Sequence, residues 1–258
     1  MAATYLDRIL ARHREVEAAD NRDVELLAAQ AAAMPRVRDF RAALSDPDRL
    51  SVISEVKRRS PSKGDLAIDL DPVELARSYA AGGASCLSVL TDVEFFGGST
   101  DDLRAARGAC DLPVLRKDFT IGERDVLDAR IMGADCLLLI AAAMPHSDVI
   151  ALHRLAMAIG IGVLVEVHDE HELEVALMAE ATLIGVNQRD LVTFQVDHAR
   201  AVRMAGLIPA GVVKVAESGV RGRDDAAALR DAGYDAVLVG ELLVTAVDPA
   251  AAIADLIG

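Results

Sequence analysis

At 258 residues the chain is too long for a minimal domain and about right for one closed α/β barrel, which typically runs to roughly 250 residues. With 52% hydrophobic, 26% charged and only 3% aromatic residues it has the composition of a globular protein with an aliphatic core, which argues against disorder. A formal net charge of −14 argues against a nucleic-acid binder, and the longest apolar runs, such as Cys136 to Met144, fall short of the roughly 20 residues that a membrane span requires.

In chain order, the first stretch, Met1 to Arg8, shows no basic region followed by an apolar core and a cleavage site. The expectation is therefore a cytoplasmic protein without a secretory signal. Leu6, Ile9, Leu10 and His13, then Leu26 and Leu27 with an alanine-rich tail, recur at helical spacing, and after Pro35 the pattern resumes from Asp39 to Leu44. Residues 1–47 thus read as a helical N-terminal extension. Beyond it the pattern changes to short aliphatic β-type runs, each followed by a longer amphipathic stretch: Leu50–Val56, Cys86–Leu90, Pro113–Leu115, Asp135–Ile140, Gly162–Val167, Thr182–Val186, Val212–Ala216 and Asp235–Val239. Glycines at 82–83, 133, 160, 206 and 233 stand a few residues before strands, where a left-handed helix end is expected.

Eight repeats of strand and helix favour closure into a single (β/α)8 TIM barrel spanning 1–258, with the extension packed onto it. The rival, an open doubly wound sheet, lacks its Gly-rich turn after the first strand. The three cysteines, Cys86, Cys110 and Cys136, form no CxxC pair and are expected as free thiols.

Barrel enzymes build their sites at the C-terminal ends of strands, and side chains two apart share a face. Ile53, Glu55 and Lys57 share one phase, as do Leu115, Lys117 and Phe119; Leu164 and Glu166; Leu183, Gly185 and Asn187; and Val213, Val215 and Glu217. A single charged residue at a strand end is usually just the point where the strand meets water. Five strands carrying a polar group in phase with apolar ones below it describe an inward-facing ring. Two lysines and three carboxylates in one pocket perturb one another's ionisation, as acid–base chemistry requires.

Three segments are candidates for holding a phosphate: Glu217-Ser218-Gly219-Val220-Arg221, Val239-Gly240-Glu241-Leu242-Leu243, and Ser60-Pro61-Ser62-Lys63-Gly64. In barrels, the loops after the last two strands present backbone N–H groups to such an anion.

The run Ser54-Glu55-Val56-Lys57-Arg58-Arg59-Ser60-Pro61-Ser62-Lys63-Gly64 resembles the signature of the indole-3-glycerol-phosphate synthases. The similarity continues through Leu90-Thr91-Asp92, Phe95-Phe96-Gly97-Gly98-Ser99, Val114-Leu115-Arg116-Lys117-Asp118-Phe119, Leu164-Val165-Glu166-Val167-His168, Ile184 to Leu191 and Val215 to Val220. The resemblance implies ring closure of 1-(2-carboxyphenylamino)-1-deoxyribulose 5-phosphate with loss of carbon dioxide and water, a lyase reaction of tryptophan biosynthesis that uses no metal or organic cofactor.

By that resemblance Lys117 is the general acid and Glu166 shares in the proton transfers of dehydration. Lys57 engages the substrate carboxylate, while Glu55, Asn187 and Glu217 position the substrate. Arg189 anchors the anthranilate end, and Phe96 and Phe119 wall it. Ser60, Ser218, Gly219, Gly240 and Glu241 fall at phosphate positions. The implied partner is a phosphorylated small molecule, neither nucleic acid nor membrane, bound by a monomer whose extension covers the catalytic face. Gly97 departs from the pattern, standing where a larger polar residue is common.

Some features are read as structural. His168 and His171 lack a third ligand at a metal-binding spacing and read as a solvated helix start. Arg58-Arg59 reads as a surface or loop pair, and Asp224-Asp225 as a solvated helix start. A phosphoribosyl isomerase would share the glycines but would place a carboxylate or Cys pair where Lys57 and Lys117 stand. A barrel serving only as a binding module would be expected to have lost Lys57, Lys117 or Glu166.

Overall fold

Alternation along eight short strands resolves into two separate cores in the computed structural model, which describes residues 4–258. Met1–Ala3, the start of the stretch read for a leader, lie outside the described residues. The barrel strands are β1 (Ser51–Val56), β2 (Cys86–Leu90), β3 (Val114–Lys117), β4 (Cys136–Ile140), β5 (Gly162–Val167), β6 (Leu183–Asn187), β7 (Val213–Glu217) and β8 (Ala236–Val239), and Arg59–Ser60 pairs with Gly64–Asp65 in a separate short ribbon. Each pairs in parallel with the next, and β1 pairs with both β2 and β8, closing the barrel. The expected strand starts hold within one residue. β3 runs two residues further than expected, as far as Lys117.

Ile53, Leu115, Leu138, Leu164, Leu183, Val215 and Leu238 point inward and fill the barrel. The intervening residues, among them Val52, Leu87, Leu137, Val165, Ile184 and Val237, face the surrounding helices. Each fully buried aliphatic side chain contributes roughly 1.5–3 kcal/mol. The chain alternates because both faces must bury, one against the opposite wall and one against the helical ring.

The ring comprises α4 (Pro72–Ala81), α5 (Thr100–Ala109), α6 (Glu123–Met132), α7 (His146–Ala158), α8 (Glu170–Met178), α9 (His198–Ala205), α10 (Arg223–Asp231), a short α11 (Glu241–Val244) and α12 (Pro249–Ile257). Asp71, Asp169, Asp197 and Asp248 cap four of these by accepting backbone amides of the first turn. Each cap is worth about 1 kcal/mol, so part of the acidic composition serves helix starts rather than ligand exclusion. Gly133 and Gly233 end helices in the left-handed conformation as expected, with φ of 94° and 95°. Gly206 departs from expectation with a right-handed φ of −75°, and the left-handed turn before β7 falls on Gly211 instead.

The extension contains α1 (Tyr5–Ala19), α2 (Val24–Ala33) and α3 (Phe40–Ala43), and these are divided between the two ends of the barrel. α1 lies at the C-terminal mouth, where His13 Nε2 approaches Asp92, just after β2, at 3.2 Å. α2 packs Leu27 and Ala31 on Leu127 of α6. α3 closes the opposite end: Phe40 and Leu44 join the inner core, and Arg41 donates to Gly211 O at 2.8 Å. The expectation that all of 1–47 covers the catalytic face is therefore corrected. The apolar stripe of α3 plugs the bottom of the barrel because the innermost layer of small residues there, Cys86, Cys136 and Ala236, leaves room for it. Among the described residues no helix is long and apolar enough to cross a membrane.

Candidate active site

Three alternate strands, β3, β5 and β7, carry charged residues at or next to their C-terminal ends, and these side chains meet inside the barrel. Lys117 Nζ donates to Glu166 Oε2 and to Glu217 Oε2, each at 2.9 Å. Burial disfavours the charge on Lys117, but Glu166, Glu217 and Glu55 outweigh it and hold the ammonium above the ordinary lysine range. Burial raises both carboxyls, but with opposite net results. Glu166 is lowered to about 2 because Lys117, His168 and the Asn187 amide favour its anion. Glu217 is raised to about 7, since burial and the neighbouring Glu166 and Glu55 charges prevail over Lys117. Environments that push two carboxyls apart in this way separate an acid from a base.

The surrounding residues fix that cluster. Asn187 Nδ2 donates to Glu166 Oε1 at 2.9 Å, and Asn187 Oδ1 accepts from the Arg189 backbone at 3.0 Å. At the end of β1, Lys57 pairs with Glu55. Gly240 is required here, because a Cβ on it would approach Lys57 Nζ at 2.8 Å and strike Glu55. Beyond β7 the chain places Ser218 and Gly219 consecutively in the left-handed region, φ 65° and 81°. Strain of this kind at Ser218 persists where surrounding structure holds it, and it commonly marks ligand sites.

All fourteen residues singled out in the sequence line one cavity of about 660 Å³. Glu55, Lys57, Lys117, Glu166, Asn187 and Glu217 form its floor. Ser60, Ser218, Gly219, Gly240 and Glu241 lie on one side, and Phe96, Phe119 and Arg189 complete the wall. The Phe96 and Phe119 ring centroids are 6.5 Å apart. Over them Tyr5, Leu6 and Ile9 of α1 supply apolar lining that the sequence reading did not assign to the site. Phe194, Val196 and His198, in the loop after β6 and at the start of α9, were also missed. Their positions carry no strand-end signal.

Several structural readings change. His168 is not a solvated helix start: its side chain is 11% exposed, its Nδ1 lies 3.0 Å from Glu172 and its Nε2 lies 3.5 Å from Glu166. His171 does remain exposed. Arg58 is not a plain surface residue either, since it pairs with Asp102 at 2.9 Å and donates to two backbone carbonyls. Among the described residues, His13, Asp92 and Asp118 could geometrically approach a metal ion. Asp92 Oδ2 lies 3.2 Å from His13 Nε2 and Asp118 Oδ1 accepts from Phe119 N at 2.8 Å, while the other oxygens accept from Phe95 N at 2.6 Å and from Arg116 at 3.1 Å. The arrangement is that of a latch holding α1 to the rim.

Fold and site together define a (β/α)8 barrel with a buried lysine–carboxylate cluster at its C-terminal mouth. The family model described as indole-3-glycerol phosphate synthase matches residues 6–256, and the chain belongs to that family. It is 55% identical over 228 residues to indole-3-glycerol phosphate synthase 2 of Streptomyces coelicolor, covering 88% of each chain. To indole-3-glycerol phosphate synthase of Mycobacterium avium it is 49% identical, covering 99% of this chain and 94% of the relative. Among solved structures, a 3-hexulose-6-phosphate synthase aligns with a TM-score of 0.60 at 19% identity, over 80% of this chain and 98% of that one. An N-acetylmannosamine-6-phosphate 2-epimerase from Clostridium perfringens aligns at 0.62 and 12%, over 81% and 93%. These two likenesses show the barrel alone.

Proposed function

We propose that this chain forms indole-3-glycerol phosphate through the Lys117–Glu166–Glu217 cluster, with Lys117 as the general acid. The activity is that of its family, a carboxy-lyase of tryptophan biosynthesis. The observation that carries the residue assignment is one ammonium held at 2.9 Å from two carboxylates at the floor of the cavity.

Ring closure joins the carboxylate-bearing carbon of the anthranilate ring to the ribulose carbonyl carbon, and the carbonyl electron pair becomes an alkoxide. Lys117, fully charged at neutral pH, supplies the proton to that oxygen. Carbon dioxide then leaves and its bonding pair restores the aromatic ring. Loss of the new hydroxyl as water takes a proton onto the leaving oxygen and removes one from the adjacent carbon. Glu166, the carboxylate held ionised, is the base for that removal.

Lys57 pairs with the substrate carboxylate, with Glu55, Asn187 and Glu217 positioning the sugar. Arg189, Phe96 and Phe119 enclose the anthranilate end, where exclusion of water and alignment of the reacting carbons lower the barrier. Ser60, Ser218, Gly219, Gly240 and Glu241 hold the phosphate. The strained Ser218–Gly219 turn and the turn at Gly240 support this placement. A cytoplasmic protein fits the same reading, because the three cysteines are free.

The direct test is fluorescence detection of indole-3-glycerol phosphate when purified protein meets 1-(2-carboxyphenylamino)-1-deoxyribulose 5-phosphate. Indole fluorescence rising with turnover is expected. No product from folded protein contradicts the reading.

A further inference from the structure

Lys117 does not by itself distinguish the two carboxylates, since Glu166 and Glu217 each give it an oxygen at 2.9 Å. The difference lies on the second oxygens. Glu217 Oε1 is buried and accepts no hydrogen bond among the described residues. Glu166 Oε1 accepts from Asn187 at 2.9 Å and faces His168 Nε2 at 3.5 Å.

The His168 ring is not free to turn away. Glu172 Oε2, at the start of α8, accepts the His168 backbone N–H at 2.8 Å and lies 3.0 Å from Nδ1. A carboxylate at Nδ1 requires the proton there, so a charged ring directs Nε2–H toward Glu166. The charged groups facing His168 are Glu166 from β5, Glu172 from α8 and Arg200 from α9. Burial and Arg200 oppose its charge, and the two carboxylates prevail, raising its pKa above the ordinary histidine value.

We propose that His168 is a positioning residue that makes Glu166, rather than Glu217, the base of the pair by facing Glu166 Oε1 from behind the reacting cluster. The proposal rests on the reading of Glu166 as the base. It gives the reaction one fixed proton acceptor and leaves the second carboxyl to carry a proton.

The test labels the full-length chain with ¹³C at the glutamate carboxyls and identifies two resonances by their loss in Glu166→Gln and Glu217→Gln. In the unaltered protein the Glu217 resonance should titrate between about pH 6 and about pH 8 while the Glu166 resonance stays at its ionised position. In His168→Phe, which retains a ring without charge, Glu166 should move over the same range because the two carboxyls now share the proton. Turnover near neutral pH should fall about tenfold, with the Michaelis constant changed less than about threefold. If His168→Phe does not fold, Glu172→Gln keeps an acceptor for Nδ1 while removing the charge that favours the imidazolium, and should move Glu166 in the same direction. A Glu166 resonance that stays ionised in the folded variants overturns the proposal. Full turnover in Glu166→Gln instead overturns the underlying choice of base, and the two failures are distinguishable.

Discussion

Gly185 on β6 stands directly beside Glu217 on β7, and the space where its Cβ would be is occupied by Glu217 Oε1. Glycine at this inward-facing position is what allows the carboxyl to reach Lys117. Gly185→Ala should push Glu217 off the ammonium and lower turnover by about ten- to a hundredfold, the loss typical of a misplaced catalytic group. Substrate affinity should change far less, because the turns proposed to hold the phosphate lie elsewhere. Unaltered steady-state kinetics would mean that Glu217 contributes nothing at its observed position.

The same carboxyl governs a stability dependence on pH. Glu217 rises from 4.5 to about 7, so between those values the folded chain holds a proton that the unfolded chain has released. Its contribution is complete below the unfolded value and is lost as pH rises through about 7. Glu217→Gln should therefore flatten part of the decline in urea midpoint between about pH 5 and about pH 8. An identical slope in both proteins would contradict the raised value.

In the turn proposed to hold the phosphate, Gly219 has φ 81°, and a Cβ there would meet Val196 at 2.7 Å. Gly219→Val should distort the turn and raise the Michaelis constant by more than about tenfold while turnover falls less than about threefold. Arg59→Ala, on the exposed Arg59–Asp65 pair, should have a small effect. Equal small effects at both positions would remove the phosphate from this turn.

Division of the extension between the two ends predicts two different truncations. Removing residues 1–20 takes away Tyr5, Leu6, Ile9 and the His13 latch, and should weaken substrate binding while the barrel still melts cooperatively. Removing 1–44 also extracts Phe40 and Leu44 from the inner core, and loss of such buried side chains costs about 2–5 kcal/mol each. That protein should show a much lower melting temperature by circular dichroism. Equal stability of the two truncations would place α3 outside the core.

The inward ring was legible because a strand has a strict period of two, so Leu115 and Lys117, or Val215 and Glu217, announce one another. His168 continues the phase of Leu164 and Glu166 by one more step, and that signal was available but was read as a helix start. Arg116 shows the limit of alternation. It lies in the outward phase of β3, yet outward in a barrel means against the helices, and its side chain is buried with Asp118 and the Asp125 carbonyl. The resemblance placed the extension over the catalytic face, where α1 does lie, but the departure of α3 to the opposite end was not legible, since an apolar stripe requires burial but does not specify which end of the barrel provides it.

The central claim is tested most directly by turnover of Lys117→Met, which keeps much of the stem and removes the proton and charge. A positioned acid is worth roughly 10²- to 10⁴-fold, or about 3 to 5.5 kcal/mol of barrier. Arg104→Met serves as the control, because Arg104 is exposed on α5 and only loosely paired with Asp101, whereas Arg116 is buried with Asp118 and its loss should itself destabilise the fold. With circular dichroism and melting matched to the unaltered protein, Lys117→Met should lose at least about a hundredfold in turnover. Retention of more than about a tenth of normal turnover would contradict Lys117 as the acid.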